Sequence, residues 1–204
     1  MKIAIIGSGN IGGNLGRLWR KAGHEVVFGS RDPQKISEFA ASSGATTDAV
    51  DAAAASGKVV VLATPWRNPE ALPSPQSVAG KITIDTMNPY TPAFTIFDLG
   101  DSTSSEETLK RLPGARLVKA FNTIPSARLA NEGNTALALD ERLVIPIAGD
   151  DADAKAVVAK LIDELGFGAI DWGNLHDGGK AQEPGTPVYG APLTVAQARA
   201  LRSQ

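Results

Sequence analysis

The chain has no cysteine. That excludes disulfides, thiol nucleophiles, iron–sulfur clusters and thiolate zinc sites. It has only two histidines, His24 and His176, so a His-rich metal site is excluded too, and no bound metal is expected. No apolar run approaches the roughly 18–20 residues that a membrane span needs. Neither charge dominates: 20 Lys and Arg face 22 Asp and Glu, a net of −2. No global field therefore draws the chain to nucleic acid or to an anionic membrane. Met1 and Lys2 lead directly into a strand pattern, without the apolar region and cleavage site of a signal peptide. The expectations are a cytoplasmic location and a small-molecule partner, with no nucleic acid and no membrane.

What is present is the material of an ordinary core. The sequence is 43% hydrophobic and 21% charged over 204 residues, long enough to bury a core without staples. A single dinucleotide-binding domain over 1–204 is expected, with 173–204 as a C-terminal extension.

Lys2 to Ile6 and Lys58 to Thr64 read as strands, because Ile3 to Ile6 and Val59 to Ala63 are continuously apolar, as in parallel strands covered on both faces. Glu25 to Gly29, Ile82 to Asp85, Leu117 to Phe121, Leu143 to Ala148 and Ala169 to Asp171 read as further strands. Helical periodicity runs over 10–22, with Ile11, Leu15, Leu18, Trp19 and Ala22 on one stripe, and again over 151–165 with an acidic first turn. Pro33 to Ser43, Thr47 to Ser56 and Thr194 to Leu201 read as helices. Pro89 to Pro113 reads as loop, with Ser102 to Ser105 its most polar part, and 173–192 as a Gly/Pro-rich loop. Strands alternating with helices predict an α/β fold, a Rossmann-type doubly wound and mainly parallel sheet.

The sharpest motif is Gly7-Ser8-Gly9-Asn10-Ile11-Gly12, a GxGxxG loop between a strand and a helix. Gly7 permits the tight turn, Gly9 lets the backbone approach a pyrophosphate, and Gly12 lets helix and strand pack closely. The helix start then offers free N–H donors to phosphate. After the second strand come Ser30 and Arg31, with Lys35 one turn on. A hydroxyl and two cations there suit the 2′-phosphate of NADP(H) better than the bare ribose of NAD. Asp32 is read as the N-cap of the next helix. Ala63, Thr64 and Pro65 close the 58–64 strand, at the end of the sheet where ribose and nicotinamide are expected. Trp66 either faces that ligand or lids the core. Asn88 either bonds a substrate or a carboxamide, or is a turn residue before Pro89.

No catalytic side chain is expected. Neither Tyr90 nor Tyr189 has a lysine four residues on, so the acid–base pair of short-chain dehydrogenases is absent. His24 lies at the end of the sheet away from the ligand and is read as structural. His176 is either a general acid or a surface loop residue. Asp150 and Asp151 open a helix as caps. Lys119 and Arg128 flank the stretch 122–126 and could attract an anionic substrate.

The combined motifs resemble one family, the NADPH-dependent reductases of the deazaflavin coenzyme F420 and their NADP oxidoreductase relatives. The resemblance is carried by 5–12, by Ala22-Gly23-His24-Glu25-Val26-Val27, by Gly29-Ser30-Arg31, by Pro65-Trp66, by 119–128, and by Gly149-Asp150-Asp151 with Lys155 and Asp171. It implies that Ser8, Asn10 and Ile11 line the pyrophosphate, that Ser30, Arg31 and Lys35 hold the 2′-phosphate, and that Asn122, Thr123 and Ile124 lie near the nicotinamide. Trp66, Asn88 and His176 are the candidates on the acceptor side. It further implies direct hydride transfer from NADPH to a deazaflavin (coenzyme F420) or another flavin as co-substrate, in a homodimer. The alternatives are reduction of a small carbonyl or imine, with His176 or Asp85 as the proton donor, and a non-catalytic NADP sensor. The chain departs from the family after Glu183, where 184–194 replaces a leucine-rich end expected to shape the acceptor pocket.

Overall fold

A computed structural model describes residues 1–203. Strands β1 (Lys2–Ile6), β2 (Glu25–Ser30), β3 (Thr46–Ala49), β4 (Val59–Leu62), β5 (Ile82–Asp85) and β6 (Arg116–Lys119) form a six-stranded sheet in the order β3-β2-β1-β4-β5-β6. All five pairings are parallel. Strand order reverses between β1 and β4, which opens a crevice beyond their carboxyl ends. A second, two-stranded parallel sheet pairs β7 (Val144–Ile147) with β8 (Gly168–Asp171). It joins β6 through one antiparallel bridge, in which Lys119 and Ala148 exchange backbone bonds of 2.8 and 3.1 Å.

The helices are α1 (Asn10–Lys21), α2 (Ser37–Ser42), α3 (Val50–Ser56), α4 (Pro75–Val78), α5 (Ser104–Arg111), α6 (Ser126–Asn131), α7 (Ala152–Asp163), α8 (Asp177–Lys180) and α9 (Val195–Arg202). Their packing explains the continuous apolar runs. Ile3, Ile5, Phe28 and Val61 face Leu15 and Trp19 of α1 and the Val158–Leu161 stripe of α7. Ala4, Ile6, Val27 and Leu62 face Ala53 and Ala54 of α3 and Val78 of α4. With both faces covered, no strand position at the centre is free to be polar. The Trp19 indole N–H also donates to the Leu161 carbonyl at 3.1 Å, tying α1 to α7.

Several elements differ from the sequence reading. The stretch 47–56 is not one helix: Thr46 and Thr47 open the edge strand β3, and α3 begins only at Val50. The two threonines favour a strand and pair beside β2, while the alanines at 52–55 are helical as read. The stretch 33–43 divides into a 3-10 turn (Pro33–Ile36) and the short α2, with Asp32 capping the turn as expected. Within the supposed loop 89–113 lies α5, and within 173–192 lies α8. His24 is structural, as read: its Nε2 meets Glu164 at 2.6 Å and its Nδ1 the N-terminal amine at 3.2 Å. No helix among the described residues is long and apolar enough to cross a membrane.

Candidate functional site

The crevice at the β1–β4 reversal is an open cleft lined by Gly7, Ser8, Gly29, Ser30, Arg31, Thr64 and Pro65 together with Ile6, Val50, Asn68 and Ala71. The loop into α1 is shaped by sterics. Gly7 has φ +106°, and a Cβ there would lie 2.6 Å from the Ala63 carbonyl oxygen. A Cβ on Gly12 would strike the Gly7 carbonyl oxygen and press on Ala63 and Ile5. A Cβ on Gly9 would meet nothing within 4 Å, so this glycine keeps space open rather than relieving strain. Gly9 is also the N-cap of α1, with no side chain capping the helix and no acid in the first turn. The N–H groups of Asn10, Ile11 and Gly12 therefore remain unpaired at the positive end of a 12-residue helix, the arrangement that receives phosphate.

Past β2, Arg31 is exposed on the cleft and has no ion pair among the described residues. Ser30 is more occupied than its sequence suggests. Its hydroxyl donates to the Asp32 carbonyl at 3.0 Å and accepts from the Asp32 N–H at 3.1 Å, an ST-turn that fixes the corner. Lys35 points into solvent and pairs with Asp32 at 3.2 Å. Trp66 is half-buried: its N–H donates to the Ser104 carbonyl at 2.9 Å and its ring lies against Phe97.

A polar cluster adjoins the cleft. The Thr64 hydroxyl reaches the Met87 sulfur at 3.6 Å, and the next residue, Asn88, is bonded to Asn122 twice. Asn88 Nδ2 donates to the Asn122 backbone carbonyl at 2.9 Å, and Asn122 Nδ2 donates to Asn88 Oδ1 at 3.1 Å. Asn122 Nδ2 also donates to the Gln182 carbonyl at 2.8 Å, while Asn122 Oδ1 is buried without a partner. Phe121, in the left-handed region at φ +63°, turns the chain between β6 and this asparagine. Asn88 further donates to the Tyr189 hydroxyl at 3.3 Å, which lies 3.1 Å from that of Tyr90. Thr123 accepts from the Gly190 N–H at 2.8 Å, and Ile124 is buried in the core. His176 stands apart from this cluster, with Nδ1 at 3.1 Å from both oxygens of Glu106.

Below the cluster sits a buried ionic network that the sequence reading missed. Asp85 and Lys119 are both fully buried. Lys119 does not attract substrate from the surface; its ammonium donates to Met87 O (3.3 Å), Ser104 Oγ (2.9 Å) and Ser105 Oγ (3.1 Å). Ser105 passes the contact on, donating to Asp85 at 2.7 Å, and Asp85 also accepts from the Met87 N–H at 2.9 Å. Burial pushes the Asp85 carboxyl up and the Lys119 ammonium down, and each charge opposes the shift of the other. Glu183 accepts from the Ser104 N–H at 2.8 Å, which fastens the C-terminal segment to α5. The network thus holds the 85–88 loop, the start of α5 and the approach to Tyr189 on one polar core. One sequence signal for it existed: Thr103-Ser104-Ser105-Glu106 is a capping box, with both reciprocal bonds formed.

Against known proteins, a family model described as "NADP oxidoreductase coenzyme F420-dependent" matches residues 2–89. The F420-dependent NADP reductase of Methanothermobacter thermautotrophicus is 32% identical over 199 residues, covering 87% of this chain and 83% of that protein. The metalloreductase STEAP3 of Rattus norvegicus is 31% identical over 179 residues, but this chain spans only 34% of its length. Among solved structures, a hypothetical protein from Sinorhizobium meliloti superposes with a TM-score of 0.82 at 32% identity, covering 95% of each chain.

Proposed function

The chain belongs to the family of coenzyme F420-dependent NADP oxidoreductases, and from that premise we propose that it passes a hydride between NADP(H) and a flavin-like or deazaflavin acceptor such as coenzyme F420. The observation that carries the cofactor half is Arg31, a cation without an ion pair among the described residues, on the same cleft as the unpaired amides of α1.

NADPH supplies the hydride when bound. The protein supplies position. The N–H groups of Asn10, Ile11 and Gly12 hold the pyrophosphate, and the vacant side of Gly9 lets it come close to the backbone. Arg31 grips the 2′-phosphate, with Ser30 shaping the turn that presents it and Lys35 adding charge nearby. Ala63, Thr64 and Pro65 would form the wall for ribose and nicotinamide, with Asn88 and Asn122 the neighbouring polar side chains. Asn88, Trp66 and the tyrosine-bearing segment after Glu183 border the acceptor. His176, already engaged with Glu106, supports the start of α5. The working assembly in this reading is a homodimer, to be measured by light scattering.

The test offers NADPH with a deazaflavin, FMN, riboflavin, a quinone and a cyclic imine in parallel. Oxidation of NADPH with the deazaflavin or a flavin is expected. Turnover with the imine alone would replace the acceptor. Tight NADPH binding with no oxidation by any acceptor would overturn the reading in favour of a sensor.

A further inference from the structure

The hydroxyls of Tyr90 and Tyr189 are 3.1 Å apart, and each side chain is only partly buried. The pair carries two hydroxyl protons, and their mutual bond uses one. Asn88 donates into the Tyr189 oxygen and so takes up acceptor capacity, not a proton. Among the described residues neither hydroxyl meets a further acceptor, so one O–H donor is left over whichever tyrosine gives the shared bond. It is left over at a specific place. Asn88 is one residue beyond Met87, which the cleft residue Thr64 touches, and Gly190 is fastened to Thr123 directly after Tyr189. The donor therefore stands beyond the carboxyl end of β5, in the polar cluster that Met87 links to the cleft residue Thr64.

We propose that this spare tyrosine hydroxyl binds the acceptor, donating to a carbonyl oxygen or ring nitrogen conjugated to the carbon that receives the hydride. The inference rests on the NADPH-reductase reading and narrows its acceptor to molecules carrying such a C=O or C=N edge. The chemistry balances as follows: hydride leaves NADPH with its electron pair and bonds to the acceptor carbon, and NADP⁺ remains. The displaced π pair moves onto the conjugated oxygen or nitrogen, where the hydroxyl meets the growing negative charge, and a proton from solvent completes the reduced acceptor. Burial first, and then the bond with Tyr90, raise the Tyr189 hydroxyl above its ordinary value. It stays protonated across the physiological range and acts as a standing donor rather than as an acid.

The test uses the full chain with Tyr90→Phe, Tyr189→Phe and the double variant, which keep ring packing. Far-UV circular dichroism and thermal midpoints check folding. Riboflavin and deazaflavin binding is read by quenching of their own fluorescence, NADPH affinity by titration, and hydride transfer in single turnovers. Tyr90→Phe leaves the Tyr189 proton free, and a change of less than about threefold is expected. The double variant removes both donors; acceptor binding and transfer should each fall by about tenfold or more, with NADPH affinity unchanged. An active wild type matched by an equally active double variant overturns the tyrosine assignment alone. A wild type that neither binds these acceptors nor oxidises NADPH overturns the functional reading and this inference together.

Discussion

In the proposed reading, Arg31 separates the two nicotinamide cofactors at the level of one side chain. Its guanidinium reaches the cleft with no carboxylate to satisfy, while the neighbouring acid, Asp32, is spent on capping the 3-10 turn and pairing with Lys35. An acid gripping a ribose hydroxyl would require Asp32 to abandon both contacts. Replacing Arg31 with alanine should weaken NADPH by about 10–100-fold, the worth of a charge-assisted hydrogen bond, and leave NADH affinity nearly unchanged. Parallel fluorescence titrations check this, and equal losses for the two cofactors would show that Arg31 does not meet the 2′-phosphate. The three glycines of the loop divide their work in a similarly local way: Gly7 and Gly12 avoid collisions with backbone, whereas Gly9 preserves room for a ligand.

Among the elements, β5, β6 and α5 are bound into one unit by the Asp85–Ser105–Lys119 chain of contacts. Lys119→Met would leave Asp85 as an uncompensated buried charge and should cost about 3–5 kcal/mol. The double variant Asp85→Asn/Lys119→Met should lose clearly less than the sum of its parts, because each change removes the burden left by the other. Urea unfolding of the four proteins measures the cycle, and strict additivity would mean that the two groups do not interact. This network also marks where sequence reading stopped. Strands β1 and β4 were legible because both faces are covered and every residue except Lys2 is apolar. The turn from β1 into α1 was legible because Gly7 and Gly12 answer to local sterics. The core around Lys119 was not legible, because Asp85 read as a lone proton donor, Lys119 as a charge attracting substrate and the two serines as loop, and nothing in a linear pattern joins them. Only the meeting of three distant segments makes them interior. The edge strand β3 was hidden for a related reason: Thr46–Ala49 is mostly exposed, and its identity comes from the neighbour it pairs with. Tyr90 and Tyr189 lie far apart in the chain, and no spacing rule could unite them.

Across the whole molecule, the small β7–β8 sheet is joined to the large one by the Lys119–Ala148 bridge and by α7, whose apolar face contributes to the same core as β1 and β4. The His24–Glu164 contact closes the opposite end. A structure connected in this way is expected to unfold in one cooperative transition, with circular dichroism and tryptophan fluorescence coinciding. NADPH at about 100 times its Kd should stabilise the chain by about 2.7 kcal/mol and raise that single midpoint. Two separated transitions, of which only one responded to NADPH, would instead divide the chain into independent units.

Glu183 holds the start of α5 just before the chain departs toward Tyr189, and Gly190 is tied to Thr123 just after it. The intervening stretch is a short insert with two welded ends. In the proposed reading, exchanging exposed residues between those two anchors should change which acceptor is taken while leaving the grip on NADPH as it is.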